Sequence, residues 1–246
     1  FKHPGPDDLR KVFEEETKKD LSWFFDDLIK TTKKLDFCVK GFKTIDGEKK
    51  LAVVNKGDLN APFSLTYLKD DKEVKTEWIM PKSDLEYVKV DLNGIDKIRI
   101  DHQLEIPEID RSNNTIKTKG LFKKSKPLKL QFLGGVDNPK YNTLYYTPVM
   151  GFNKYDKFLV GVSLYNHTFP EKKFEYTLTP MFSVGTIKPV GMGDAHYHIY
   201  PKGDFIQRIT LGGEYTSFHF FNEADIFGRF QKAMPYLEID FQKKNR

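Results

Sequence analysis

Cysteine is nearly absent. Cys38 is the only one in 246 residues, which excludes an intrachain disulfide and every multi-cysteine zinc site. No run of about 18 apolar residues occurs, so no segment can cross a bilayer as a helix. Tryptophan is confined to Trp23 and Trp78, while 21 Phe and 12 Tyr carry the aromatic share to 14%. That bias favours β-structure or membrane-interface surfaces. The six histidines, at 3, 102, 167, 196, 198 and 219, include no H-E-x-x-H spacing, so a metal-binding helix of that kind is missing. Glycines in LGGVDNP (133–139) and VGMGD (190–194) are not followed by helix patterns. They read as turns or bulges rather than phosphate loops.

What is present describes a folded chain with more than one module. Apolar residues make up 39% and charged residues 30%, outside the disordered range. The charge is unevenly spread, with a net of 0 over residues 1–35, −4 over 36–110 and +9 over 111–246. The densest basic run, KTKGLFKKSKPLK (117–129), reads as a solvated linker or a contact for anionic lipid headgroups. Nothing resembling a nucleic-acid recognition element accompanies it.

The first module, 1–35, is helical. Pro6-Asp7-Asp8 starts a helix with acids in its first turn, and Leu9, Val12 and Phe13 recur at helical spacing. Asp20 is placed to cap a second helix carrying Trp23, Phe24, Leu28 and Ile29. Two such helices cannot bury that apolar face between themselves.

Over 36–110 the period changes to two. Short strand patterns at 36–43, 50–56, 62–68, 73–79, 86–92 and 96–101 are separated by turn signals such as Asp46-Gly47 and Asn93-Gly94. They predict a small β-sandwich of immunoglobulin-like size without its disulfide, with 105–114 as an exit linker. From 111 to 246 the strands lengthen into an antiparallel β-meander: 127–135, 142–149, 157–167, 172–185, 193–201, 204–220 and 235–242. Leu237, Ile239 and Phe241 alternate with Glu238 and Asp240. Phe174, Tyr176, Leu178 and Phe182 share the face opposite Glu175, Thr177 and Thr179. Strands near ten residues, apolar on one side and polar or small on the other, fit a partial outer-membrane β-barrel, and a soluble sheet gives nearly the same pattern. The expected fold class is therefore mainly β, with a short helical start, a β-sandwich and a β-meander.

The opening stretch FKHPGPDDLRKVFEEETKKDLSWFFDDLIKTTKKLDF resembles the end of the catalytic domain of aminopeptidase-N-like zinc metallopeptidases, the gluzincin class. The resemblance is carried by Pro4, Pro6, Asp8 and Leu9, then Lys19, Asp20, Leu21, Ser22, Trp23, Phe24 and Phe25. Lys18 replaces a common Gly, and Asp27-Leu28 stands where a second Trp often sits; both departures touch packing, not chemistry. Downstream, 106–114, 144–166 and 172–185 look like the variant of this family in some diderm bacteria. There a β-sandwich and an outer-membrane-barrel-like region follow the peptidase domain.

The resemblance implies a piece of a longer protein. The chain starts at Phe1 without Met and stops at KKNR after a strand, as if both ends were cut and further strands lay beyond Arg246. It implies that zinc and the catalytic residues lie upstream, and that this portion has no catalytic or cofactor-binding residue of its own. Trp23, Phe24 and Phe25 are then expected to pack against the upstream peptidase domain. The function implied is a non-catalytic anchor at the periplasm or outer membrane, with no nucleic-acid partner. The competing expectation is a stand-alone β-rich protein that binds a glycan, lipid or protein.

Among candidate sites, His196 and His198 are the metal pair, because i and i+2 side chains share a strand face. A third ligand could come from His219 or Asp194, and the competing reading is a set of polar residues lining a barrel lumen. Cys38 in a strand pattern reads as a buried hydrophobe. Asp7-Asp8, Asp26-Asp27 and Asp70-Asp71 read as helix-end and turn acids. Trp78, Tyr87, Tyr141, Tyr145 and Tyr146 are either a sugar-stacking surface or packing residues.

Overall fold

The structure is a computed structural model that describes residues 3–203, 205–223 and 226–242. Phe1, Lys2, Asp204, Ala224, Asp225 and the closing residues 243–246 lie outside it. The chain divides into two compact units, 1–125 with 202–204, and 126–201 with 205–246.

In the first unit, helix α1 (Pro6–Thr17) starts where Pro6 predicts, and the Asp8 carboxylate accepts from the Gly5 N–H at 3.0 Å. The second helix shortens to a π-helical turn, Trp23–Leu28, which no local feature of the sequence signals. Arg10 ties the two together, donating to Asp26 at 2.7 Å and to Ser22 at 2.9 Å.

Two sheets follow, with strand orders β1-β2-β5 and β4-β3-β6-β7. The strands are β1 (Phe37–Ile45), β2 (Glu48–Asn55), β3 (Phe63–Lys69), β4 (Lys72–Ile79), β5 (Leu85–Lys89), β6 (Lys97–Ile100) and β7 (Thr115–Lys117). At the β1–β2 hairpin Asp46 and Gly47 both have positive φ, 54° and 74°, the twist that a two-residue hairpin turn needs. Val39, Leu51 and Val53 from one sheet and Phe63, Leu65, Ile98 and Ile100 from the other share one buried cluster, so the sheets face each other as a sandwich.

Two boundaries differ from expectation. The segment 105–114 is not an exit linker: Ile106 and Glu108 are buried, Leu35 bridges to Glu108, and β7 pairs with β6 to bury Ile116. The sandwich unit therefore ends near Ser125 rather than at 110. Polar residues dominate this stretch, but Ile106 and Ile116 anchor it in the core. Residues 1–35 likewise belong to the sandwich unit, with Trp23 and Leu28 packed against its core.

The second unit is one seven-stranded sheet in sequence order: β8 (Leu128–Phe132), β9 (Asn142–Asn153), β10 (Lys157–Tyr165), β11 (Phe174–Ser183), β12 (Lys188–Ile199), β13 (Ile206–Glu223) and β14 (Ile226–Phe241). Every neighbouring pair is antiparallel except β8–β9, which is parallel. The meander begins only at β9, because the chain crosses between β8 and β9 instead of turning back. Among the described residues the sheet does not close into a barrel.

Candidate functional site

Several strands of the second unit expose large apolar side chains on one face and bury polar ones on the other. On β9, Met150 and Phe152 are 86% and 66% exposed, while Thr143 and Tyr145 on the opposite face are buried. On β11, Phe174, Leu178 and Phe182 are exposed, and Glu175, Thr179 and Ser183 are buried. The period-two alternation read from the sequence is present, with its faces inverted relative to a soluble sheet. Among the described residues the apolar core of the unit is small, comprising Leu159, Met181 and Val190 with Val149 and Phe218 partly buried against it.

The polar face gathers the candidate metal ligands. The hairpin of β11 and β12 sets Glu175 opposite His196. One ligand atom each from Glu175, His196 and His198 lies within 4.8 Å of the others. His196 Nε2 is 3.5 Å from Glu175 Oε2, and His167, after β10, places Nδ1 3.0 Å from the same oxygen. The rings of His196 and His198 stand 4.8 Å apart, and those of His167 and His196 5.9 Å apart.

His198, His167 and Glu175 are also held from behind. His198 Nδ1 and Thr210 Oγ1 are 2.9 Å apart, as are His167 Nε2 and Thr177 Oγ1. Glu175 Oε1 accepts from the Lys172 N–H at 2.9 Å. With Glu175 4% and His198 5% exposed, the group is mostly withdrawn from water.

The pair His196 and His198 is thus brought together, and its third member is Glu175, with His167 beside it. Asp194 stays at 3.9 Å from His196 Nδ1. His219 is elsewhere: its Nδ1 is 2.7 Å from Asp156 Oδ1, and its N–H donates to Asp156 Oδ2 at 3.0 Å. Glu175 and His167 escaped the sequence reading as ligands because Glu175 lies on the neighbouring strand β11 and His167 in the segment after β10. The β11–β12 turn near 184–187 was the signal that could have found Glu175, since folding about it pairs 175 with 196.

Other singled-out residues take structural places. Cys38 is buried in β1. Trp78 lies exposed on β4 and Tyr87 lies on β5, which belong to different sheets, while Tyr145 is buried in the second unit. Tyr141 and Tyr146 are partly exposed in the second unit, at 39% and 37%. Phe24 is 37% exposed and Phe25 is buried, with its ring 6.5 Å from that of Phe13.

Sequence reasoning also passed over Glu108. It is buried, with Oε1 lacking a hydrogen-bond partner while Asn114 Nδ2 donates to Oε2. Burial pushes its pKa up to about 8, Asn114 opposes the rise, and the charges of Asp101 and Asp36 add to it.

No family model matches the chain, and neither the curated proteins nor the solved structures provide a match.

Proposed function

We propose that the second unit is an outer-membrane-type β-sheet. In this reading the chain is the non-catalytic C-terminal portion of an aminopeptidase-N-like zinc metallopeptidase, holding the peptidase domain at the outer membrane of a diderm bacterium. The inverted burial of the meander carries the membrane part. A sheet that exposes Met150, Phe152, Phe158 and Leu237 while burying Glu175, Asp156, Thr179 and Ser183 has the polarity of a barrel wall between hydrocarbon and an aqueous lumen. Its three-residue apolar core is too small to stabilise a sheet of this size in water.

The basic run leading into this unit adds to the reading. It carries Leu121 and Phe122, which are 95% and 79% exposed, and an apolar tip among lysines suits an anionic membrane surface. In hydrocarbon the outer edges of β8 and β14 require further strands, because unpaired backbone groups are costly there.

The peptidase part rests on the Pro4-to-Phe25 resemblance. An apolar groove lined by Pro4, Pro6, Leu9, Phe25 and Ile29 supports it, since α1 has no buried residue of its own. The upstream peptidase domain is the occupant that would cover this face.

Two experiments test the two parts. Nitroxide labels at Met150→Cys and Thr147→Cys, in a Cys38→Ala background, are compared after reconstitution into phospholipid vesicles. The Met150 label should collide with lipid-soluble oxygen and the Thr147 label with a water-soluble reagent. A chain that is soluble without detergent, with both labels equally open to the aqueous reagent, overturns the membrane reading in favour of a stand-alone binding protein. Reading the frame upstream of Phe1 should reveal H-E-x-x-H and a following helix with the glutamate ligand. A start codon and signal peptide immediately upstream would remove the peptidase reading.

A further inference from the structure

We propose that Glu175, His196 and His198, with His167 beside them, bind one first-row divalent metal ion, with Zn2+ as the best-suited occupant. Tetrahedral coordination with metal–ligand bonds of about 2.0–2.1 Å sets neighbouring donors about 3.4 Å apart. The 3.5 Å between His196 Nε2 and Glu175 Oε2 already matches that spacing. One ligand atom from each of Glu175, His196 and His198 already lies within 4.8 Å of the others.

The outer partners favour coordination over a simple hydrogen-bonded cluster. A ligating imidazole usually donates its second N–H to a fixed acceptor, which sets the tautomer and aims the ring. Thr210 can serve His198 in this way, leaving Nε2 for the ion, and Thr177 can serve His167, leaving Nδ1. The Lys172 N–H holds the far oxygen of Glu175 and leaves Oε2 toward the two imidazoles. Arg208, the nearby cation, is engaged by Asp240 at 2.8 Å and Glu171 at 3.1 Å. An imidazole-rich set with one carboxylate suits Zn2+ and its neighbours and disfavours Ca2+ and Mg2+, which take oxygen ligands. The inference needs only the β11–β12 hairpin and its flanking strands, so it stands or falls separately from the membrane reading.

The test uses the full chain, without an affinity tag and stripped with a chelator, titrated with Co2+ as a spectroscopic probe. One equivalent should bind with the visible d–d bands of a tetrahedral N/O site, and Zn2+ should displace it. Thr210→Val should weaken binding by about 10–100-fold, the double variant His196→Ala/His198→Ala should abolish it, and His3→Ala should leave it unchanged. No saturable band in the wild type, or unchanged affinity in the double variant, overturns the proposal. X-ray absorption of the Zn2+-loaded wild type decides the matter even where a variant fails to fold. Scattering from at least two imidazoles supports the site, and a shell of oxygen alone overturns it.

Discussion

Glu108 carries the clearest residue-scale consequence. Its folded pKa of about 8 lies above the ordinary carboxylate value of 4.5, so the folded state holds a proton that the unfolded chain has released. Stability is therefore full below pH 4.5, falls as pH rises toward 8, and levels off above it. The loss approaches about 5 kcal/mol. Trp23 and Trp78 both lie within residues 1–125, so tryptophan fluorescence during urea unfolding follows this unit. The wild-type midpoint should drop between pH 5 and pH 8, whereas Glu108→Gln, uncharged at both, should hold a constant midpoint. A parallel drop in the variant would contradict the assignment.

Asp156 anchors the other buried node. It accepts from the Asn153 side chain, from the His219 N–H and from Thr186 Oγ1, and it pairs with His219 Nδ1 where both side chains are almost fully buried. Asp156→Ala leaves these donors unpaired, so the second unit should lose about 3–5 kcal/mol. Chemical unfolding under conditions that support the folded sheet measures this. A loss below about 1 kcal/mol would mean the node is replaceable by water.

At the scale of elements, glycines show how closely the strands approach. A Cβ at Gly161 on β10 would sit 2.2 Å from the Pro180 carbonyl oxygen of β11, which is backbone and cannot turn aside. At Gly213 on β13 the nearest atom is 3.8 Å away. Gly161→Ala should therefore cost at least about 2 kcal/mol and disturb β10–β11 pairing, while Gly213→Ala should stay within about 0.5 kcal/mol of wild type. Amide exchange across β10 and β11 would register the difference.

Most strand and turn positions were readable because alternation and Asp-Gly signals are local, but β7 went unread, and β12 and β14 start at Lys188 and Ile226, ahead of the expected 193 and 235. The boundary at 125 was not, because Ile106 and Ile116 are single apolar residues in polar surroundings whose burial depends on distant strands. The π-helical turn at Trp23–Leu28 was hidden for a similar reason. Its residues suit an ordinary helix, and their placement is set by Arg10 and the sandwich core.

At the scale of the whole chain, the two units differ in how they can be stable. The sandwich unit has a continuous apolar core, from Leu35 through Ile116. Among the described residues the meander unit buries many polar side chains, and its apolar cluster is Leu159, Met181 and Val190 with Val149 and Phe218 packed against it. Expressed separately, residues 1–125 should fold in plain buffer, and residues 126–246 should reach a cooperative β-structure only with detergent or lipid. Circular dichroism and thermal melts with and without detergent check this. A cooperative melt of the second fragment without detergent would contradict the lipid-facing assignment.

Read alone, the sequence determined that the chain is mainly β after a short helical start, the places of most of its strands, and that one face of the meander is apolar. These are local properties, set by side-chain period and turn chemistry. Only the tertiary structure decided which face is outward and which residues from separate strands meet. Exposure depends on how the sheet curves, so the same alternation served either a soluble sheet or an inverted one. His196 and His198 were neighbours in sequence. Glu175 joined them through strand register, which is a pairing between distant segments and not a property of either one, and His167 through the segment that follows β10.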